Sequence, residues 1–438
     1  MAAEKGSRIP RPHCMPLAPV RRLGDGSRPV GWEIIQVLDG ELGLFLWNAL
    51  RSIYEWVKLT EDGMERASLF GTPSEVSQQR LLAACAEAPQ IAEALQTVGL
   101  LKQMHGSVHP GIIGSACAQI STWAEQRSLL DVAGHFAEAA AYVEPENPKR
   151  ANAAGRLCRR LGLHERSAAW FRRGRYAAHR THNRAERIRA LLGYGSLMRS
   201  LGRYEESEAH YLLAAKLAER TRRQKQAAEA HHDLVAIAIL TDDLQAAEEH
   251  VWEALRLYPA RHPYLPVLAH DWGFALVLRR FYTHAIPLVE LALTRVRQPE
   301  FRTLLFSTLA RAAAGAQQGE LHGKAEAQVL RHLSQFTEYA PAALINLAQA
   351  AWLLHAWERA EEYVRRGLEA ARTHSDERYQ RDAVDLLKKL RIREVPPSEL
   401  VPALPDVIDS VRIRCQARLR EAPSPRPPRR QGRAPAEG

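Results

Sequence analysis

The sequence has few cysteines and no long apolar run. Its five cysteines are far apart and never in CxxC spacing, which predicts reduced thiols rather than a disulfide framework or a zinc knuckle. The best apolar stretch, Leu42 to Leu50, ends at Arg51 and is shorter than the roughly 18 residues a membrane helix needs. Four prolines interrupt residues 1–28, which lack the apolar segment of a secretory signal. We therefore expect a cytoplasmic protein.

Motifs of catalysis and of cofactor binding are also missing. The chain has no P-loop, no GxGxxG after a strand, no HExxH and no GxSxG. Strand alternation of the kind that builds a catalytic α/β sheet is absent. Three histidine groups occur without a recognisable third metal ligand: His105 with His109, His179 with His182, and His231 with His232. We expect no enzymatic activity, no cofactor and no metal.

What the chain has instead is localised charge. Its formal net charge is +10, and residues 156–189 alone hold eleven arginines against two glutamates. Residues 1–28 carry a net charge of +4 and residues 393–438 a net charge of +3, so the remainder is acidic. A concentrated basic block favours one localised anionic partner over nucleic acid wrapped along the whole surface.

A repeat of about 40 residues runs through the middle of the chain. The residue seven positions before each turn is mostly small. The residues two, five and nine positions after the turn are mostly large, small and large, respectively. This pattern predicts a helical hairpin, because a small residue lets the second helix approach and a bulky one fills the gap. Six turn positions are spaced 40, 40, 38, 39 and 36 residues apart, and a weaker copy precedes them: Gly162, Gly202, Asp242, Arg280, Gly319 and His355.

These small, turn, bulky and aromatic positions resemble the tetratricopeptide repeat, in a long-repeat form used by bacterial regulators. The resemblance covers about residues 113–375, roughly seven copies, and implies an all-α, right-handed α-solenoid with helical caps. The spacing exceeds the usual 34 residues or so of that repeat. The copy aligned on Gly319 also departs from the pattern, since it puts Lys324, Gln328 and Arg331 at positions that should be apolar.

The segments that flank the repeats are predicted to cover the ends of the array. Residues 29–110 are expected to form an α-helical N-terminal domain or cap, whose second helix begins at an N-cap, Thr72. A helix-turn-helix DNA reader within residues 74–104 has no specific support. Residues 376–395 predict one amphipathic capping helix. Residues 1–28 and the Pro/Arg-rich residues 396–438 are expected to be disordered.

The resemblance also implies which side chains line a concave groove. In tetratricopeptide proteins the residues three before, one after and four after the small position face that groove, on one helix stripe. The groove is then cationic at its N-terminal end and more apolar towards its C-terminal end. The candidate partner-binding residues are Asn152, Arg156, Arg159, Ser196, Arg199, His232, His270, Phe274, Gln349 and Trp352, with Lys149 and Arg189 at the rim.

A graded groove of this kind suits an extended or acidic segment of a partner protein, because guanidinium groups bind carboxylates bidentately. The resemblance thus implies a non-enzymatic scaffold or adaptor. Two plainer interpretations stay open: the arginines solvate a surface, and Phe274 and Trp352 pack between helices. The alternative function is a regulatory, transcription-associated protein that contacts nucleic acid through the arginine-rich block and the tails.

Overall fold

The computed structural model describes residues 29–61, 75–102, 109–296, 298–335, 337–397 and 404–421. Within these residues the chain forms twenty α-helices and no β-strand, so the predicted all-α class is confirmed. The predicted disordered tail of residues 1–28, the N-cap Thr72 and the last part of the C-terminal tail, residues 422–438, lie outside the described residues.

The helices follow one another in the order that the repeat predicts. Four precede the hairpins: α1 (Trp32–Val37), α2 (Gly40–Glu61), α3 (Glu75–Glu87) and α4 (Ala92–Gly99). Seven hairpins follow: α5 (Pro110–Gln126) with α6 (Leu130–Val143), α7 (Pro148–Arg160) with α8 (His164–Arg180), α9 (Arg184–Ser200) with α10 (Tyr204–Arg220), α11 (Gln224–Leu240) with α12 (Leu244–Leu257), α13 (Leu265–Leu278) with α14 (Tyr282–Arg295), α15 (Pro299–Gly315) with α16 (Gly319–His332), and α17 (Ala340–Leu353) with α18 (Trp357–Thr373). Two helices end the described chain: α19 (Glu377–Arg391) and α20 (Asp406–Glu421).

The chain divides into two compact units. The first holds residues 1–233 and 372–378, and the second holds residues 234–371 and 379–438. In the first unit, α2 packs on α6 and α4 packs on α5, so the N-terminal helices share a core with the first hairpins. Ile53, Leu95 and Ile113 are fully buried in that core. The predicted N-terminal cap therefore corresponds to helices that bury apolar surface against the repeats.

Small residues bring the two helices of a hairpin together, as the repeat pattern predicts. A Cβ added to Gly195 would lie 2.7 Å from the ring of Tyr211, and one added to Gly155 would lie 2.9 Å from the ring of Phe171. The hydroxyl of Ser207 closes the same hairpin by donating to the carbonyl of Gly195 at 2.8 Å. The small, polar and aromatic positions are thus contacts within one tetratricopeptide-like hairpin, and that prediction is confirmed.

The sixth hairpin has a different register from the one predicted. Its turn residue is Gln317, which has a φ of 57°, whereas Gly319 already belongs to α16 and an added Cβ there would meet nothing within 4 Å. Five residues after Gln317, the Nδ1 atom of His322 lies 3.1 Å from the carbonyl oxygen of Ala310. This contact is equivalent to the one between Ser207 and its glycine. The alignment on Gly319 is therefore wrong by two residues.

Part of the C-terminal region expected to be disordered is a packed helix. Within the second unit α20 contacts α12, α13 and α14. Val411, Cys415 and Leu419 recur every four residues and are almost completely buried. Arg418 donates from Nη2 to the carbonyl of Tyr258 at 2.7 Å. This apolar stripe was hidden by the arginines around it, and the prolines that argue for disorder lie on either side of residues 406–421, which contain none.

Candidate functional site

The first helices of neighbouring hairpins are joined by side-chain hydrogen bonds. In the first unit, Asn152 on α7 donates from Nδ2 to the carbonyl of Glu186 on α9 at 2.9 Å. In the second unit, Asn346 on α17 donates from Nδ2 to Oγ of Ser307 on α15 at 3.1 Å. We call the side of these helices that carries the predicted groove residues the first-helix face. Each unit has its own first-helix face and is described separately.

In the first unit, α5 and α7 border a cleft of about 760 Å³. Lys149 and Arg156 line it together with Glu125. Arg156 donates to both carboxylate oxygens of Glu125, with Nη2 at 2.7 Å from Oε2, and Arg160 donates to the same carboxylate. Burial acts to raise the pKa of Glu125, but the two guanidinium groups outweigh it and hold that pKa below its ordinary value. Arg156 therefore already has a carboxylate partner within the chain, which it shares with Arg160.

Two further predicted cations of this face also have carboxylates beside them. Arg189 donates to Glu186, and Nη1 of Arg199 lies 3.6 Å from Oδ1 of Asp233. Asn152 is buried, and its Nδ2 also donates to Oε2 of Glu186 at 2.9 Å. These carboxylates were not predicted from the sequence. Glu125 and Asp233 are on different helices from Arg156 and Arg199, and Glu186 is one helical turn before Arg189 on the same helix. The N-terminal end is consequently less cationic than its arginines suggest.

The remaining predicted residues of the first unit are partly enclosed. Arg159, Ser196 and His232 are half-buried. Ser196 donates to the carbonyl of Leu192 and accepts a hydrogen bond from the hydroxyl of Tyr211, both at 3.0 Å. Lys149, in contrast, is exposed. The partner-binding role of these residues stays a prediction.

In the second unit, the predicted groove residues stand in a mostly buried face. His270 is 3% exposed, and its Nε2 atom lies 2.9 Å from Oγ1 of Thr308. Phe274 is half-buried and stacks on His270 with ring centroids 6.4 Å apart. Trp352 is also buried, and its Nε1 donates to the carbonyl of Glu394 at 2.8 Å. A segment of the chain itself thus covers the tryptophan.

Arg311 lies on this same face and belongs to α15, the first helix of the sixth hairpin. In the corrected register it follows the small residue Ala310, as Phe274 and Gln349 follow theirs. Its Nη1 makes a long hydrogen bond of 3.4 Å to Oδ1 of Asn346, and its buried Nε has no hydrogen-bond partner. No carboxylate of the described residues forms an ion pair with it. The half-buried guanidinium is therefore poorly compensated by its surroundings.

The electrostatics of Arg311 agree with this description. Burial lowers the pKa of Arg311 to about 10, although Tyr282 and Asp382 act in the opposite direction. Asn346 contacts it directly, and Gln349 follows one turn later on α17 with a buried Oε1 atom that lacks a partner. We call Ser307, Arg311, Asn346 and Gln349 the Arg311 cluster. Guanidinium and amide groups together can bind a carboxylate and a peptide backbone.

Of these four residues, only Gln349 was predicted from the sequence. Glycine is a stronger turn signal than glutamine, because glycine adopts positive φ without strain. The repeat was therefore aligned on Gly319 and not on Gln317, the actual turn residue. One signal did indicate the error. The alignment on Gly319 puts Lys324, Gln328 and Arg331 at positions that should be apolar. In the corrected register these positions hold His322, Glu326 and Val329, all three of which are buried.

The described part of the chain contains no recognisable metal site. No group of three or more His, Cys, Asp or Glu side chains among those residues is placed to hold a metal ion. His105, which belongs to one of the three histidine groups in the sequence, lies outside the described residues. Among the described helices, none is both long enough and apolar enough to span a bilayer. Cys85, Cys117, Cys158 and Cys415 are free thiols.

The hairpins and their first-helix faces define an all-α protein of tetratricopeptide-like repeats. No protein-family model matches the chain, and no curated protein sequence matches it. The solved structure of PilF of Pseudomonas aeruginosa is similar at 17% identity and a TM-score of 0.36, over 52% of this chain and 96% of that chain. The Rap conjugation gene regulator of the plasmid pLS20, in complex with the Phr* peptide, is similar at 13% identity and a TM-score of 0.39, over 81% and 99% of the two chains. A Rap protein complexed with competence and sporulation factor is similar at 12% identity and a TM-score of 0.36, over 82% and 91%.

Proposed function

We propose that this chain is a non-enzymatic interaction scaffold or adaptor that binds an extended, acidic segment of a partner protein on its first-helix faces. The observation that supports the proposal is the state of Arg311, a half-buried guanidinium with one long hydrogen bond and no ion pair to a described carboxylate. The Arg311 cluster is the anchor, and it takes one acidic side chain or a terminal carboxylate of the partner.

Burying a charge is unfavourable unless the charge finds partners. A guanidinium removed from water loses hydration free energy, and only good hydrogen bonds and an opposite charge recover it. Arg156 and Arg199 have Glu125 and Asp233 beside them, whereas Arg311 has only the neutral Asn346 in direct contact. A carboxylate from a partner would form the bidentate pair that Arg311 lacks.

The other predicted residues take secondary roles in this proposal. Lys149 is exposed at the rim of the first unit's cleft and attracts acidic side chains without first breaking an ion pair. Arg156, Arg189 and Arg199 would have to exchange an internal carboxylate for one from the partner, so each contributes less to binding. Phe274, half-buried, offers apolar contact area near His270.

Selection from a random peptide library tests the proposal and does not require the partner protein itself. Random linear heptapeptides with free carboxyl termini are selected on the wild-type chain and on Arg311→Gln, which keeps hydrogen-bonding capacity and removes the charge. We expect Asp or Glu at a fixed position in the peptides selected by the wild type, and loss of that preference in the variant. Enrichment that is the same on both chains, or no enrichment on the wild type, would refute the proposal.

The matched control is Arg331→Gln. Arg331 is an exposed arginine on α16 of the same unit, so its removal changes the net charge equally and leaves the Arg311 cluster intact. The control variant should select the same peptides as the wild type. Circular dichroism spectra of all three chains should be superimposable, which ties a lost preference to the guanidinium and not to unfolding.

A further inference from the structure

A second cleft lies in the first unit, at the turns that connect successive hairpins. It has a volume of about 650 Å³ and is bounded by the end of α8, the turn that leads into α9, and the turn before α11. Its position at the turns separates it from the first-helix face. Clefts of 300–1,000 Å³ are the usual size of small-molecule sites. The lining residues are Ala178, His179, His182, Asn183, Arg184, Arg187 and Arg223.

The lining of this cleft carries charge of one sign. Three of the seven residues are arginines and two are histidines, and none is an aspartate or a glutamate. Glu186 is adjacent in sequence to Arg187, but its carboxylate is engaged by Asn152 and Arg189. The Nε atom of Arg187 is buried and has no hydrogen-bond partner. The cations at the cleft are therefore not balanced by the acidic residue next to them in the chain.

A buried arginine that interacts with Arg187 strengthens the positive field. Arg175 is 8% exposed. Burial, and then repulsion from Arg187, lower the pKa of Arg175 below its ordinary value. Like charges held together in this way favour an anion between or beside them, because it reduces their mutual repulsion. The N-termini of α9 and α11, which begin at this cleft, contribute positive helix-dipole ends.

We infer that this basic cleft is a binding site for a small molecule with two or more phosphate groups. Guanidinium forks match phosphate oxygens bidentately, and three of them around one cleft suit a polyphosphate better than a single carboxylate. The volume of about 650 Å³ suits a small ligand, whereas a DNA duplex is bound over a much larger surface. This site is independent of the Arg311 cluster and of the function proposed for it.

Isothermal titration with sodium tripolyphosphate tests the inference on the full chain. We expect saturable binding with one site per chain, weakened at least tenfold in Arg184→Gln/Arg223→Gln, whose two arginines are exposed. Arg187→Gln should weaken binding similarly, and a circular dichroism melt identifies any loss caused by unfolding. ATP in a parallel titration distinguishes the two sources of the phosphates: tighter binding of ATP indicates a nucleotide, and equal binding indicates an inorganic polyphosphate.

The matched control is Arg365→Gln/Arg366→Gln. These arginines are on α18, each paired with a glutamate four residues earlier, and their removal changes the net charge by the same amount. The control should bind tripolyphosphate as the wild type does. Absence of saturable binding to the wild type, or equal binding by the Arg184/Arg223 variant, would overturn the inference. Binding of a 20-base-pair DNA duplex that tripolyphosphate fails to displace would overturn it as well, in favour of nucleic acid.

Discussion

Arg156 and Arg311 each follow the small residue of their hairpin, yet they differ in what surrounds them. Arg156 is largely exposed, and both of its Nη atoms donate hydrogen bonds to the carboxylate of Glu125. Arg311 is half-buried and has only Asn346 in direct contact. Residues at equivalent repeat positions therefore have different electrostatic states, because neighbouring helices decide which charges are balanced.

The ion pair of Arg156 predicts a pH-dependent effect of charge reversal. Arg156→Glu puts a second carboxylate beside Glu125, so we expect a lower Tm at pH 7. The folded pKa of Glu125 is lowered, so its stabilising contribution is present above its ordinary pKa of about 4.3 and is lost as pH falls through the lowered value. The Tm difference should accordingly shrink below about pH 4. Thermal melts at pH 7 and pH 3 measure it, and an unchanged Tm at pH 7 would exclude a stabilising pair.

Two helical glycines with different surroundings predict opposite effects of substitution by alanine. Gly195→Ala should destabilise the protein by about 1 kcal/mol or more, because overpacking against the buried Tyr211 ring outweighs the gain in helix propensity. Gly323→Ala, in α16 with nothing within 4 Å of the added Cβ, should stabilise it by about 0.5–1 kcal/mol. Urea unfolding of both variants measures the difference. Stabilisation by Gly195→Ala would contradict the close approach of α9 and α10.

At the scale of the element, α20 connects helices of its unit that have little direct contact with one another. Direct contact between α12 and α13 is sparse, and α20 packs on both of them and on α14. Nε1 of Trp272, on α13, lies 3.4 Å from the carbonyl of Ile408 on α20. On the helical wheel Trp272 points away from His270 and Phe274, so α20 packs against the side of α13 opposite its first-helix face. The helix therefore supports α13 from the side opposite its first-helix face.

The packing of α20 predicts protection of its backbone amides from hydrogen exchange. In the wild type, residues 406–421 should exchange slowly, whereas a disordered tail would exchange at once. Leu419→Ala removes a side chain that is 1% exposed and should speed this exchange at least tenfold, since such truncations cost about 2–5 kcal/mol. Ile413→Ala, at a largely exposed position of the same helix, should leave it unchanged. Fast exchange in the wild type would refute the docking of α20.

At the scale of the whole molecule, the sequence predicted the hairpins well and their side-chain networks poorly. The spacing of Gly155, Gly195 and their partners is a local pattern, so the seven hairpins follow from it. The contact between Arg156 and Glu125 spans 31 residues and depends on how separate helices pack, which no local pattern contains. Ser307 and Arg311 were missed for a simpler reason: the copy aligned on Gly319 was two residues out of register, and no groove residue was predicted in it.

The two units each carry a first-helix face, and the two faces take different parts in the proposed function. On the face of the first unit, Arg156, Arg189 and Arg199 are already paired with Glu125, Glu186 and Asp233. This face therefore adds only a weak attraction for an acidic partner. The face of the second unit contains the Arg311 cluster, where one guanidinium forms no ion pair with a described carboxylate. The central claim is therefore that a partner carboxylate binds at Arg311.

A double-mutant cycle measures that claim most directly. The acidic heptapeptide selected by the wild type, and the same peptide with its anchoring carboxylate replaced by an amide, are titrated into the wild type and into Arg311→Gln. We predict a coupling free energy of at least about 1.5 kcal/mol, the lower range for close charge pairs at interfaces. A coupling free energy of zero, with each change weakening binding independently, would contradict the account.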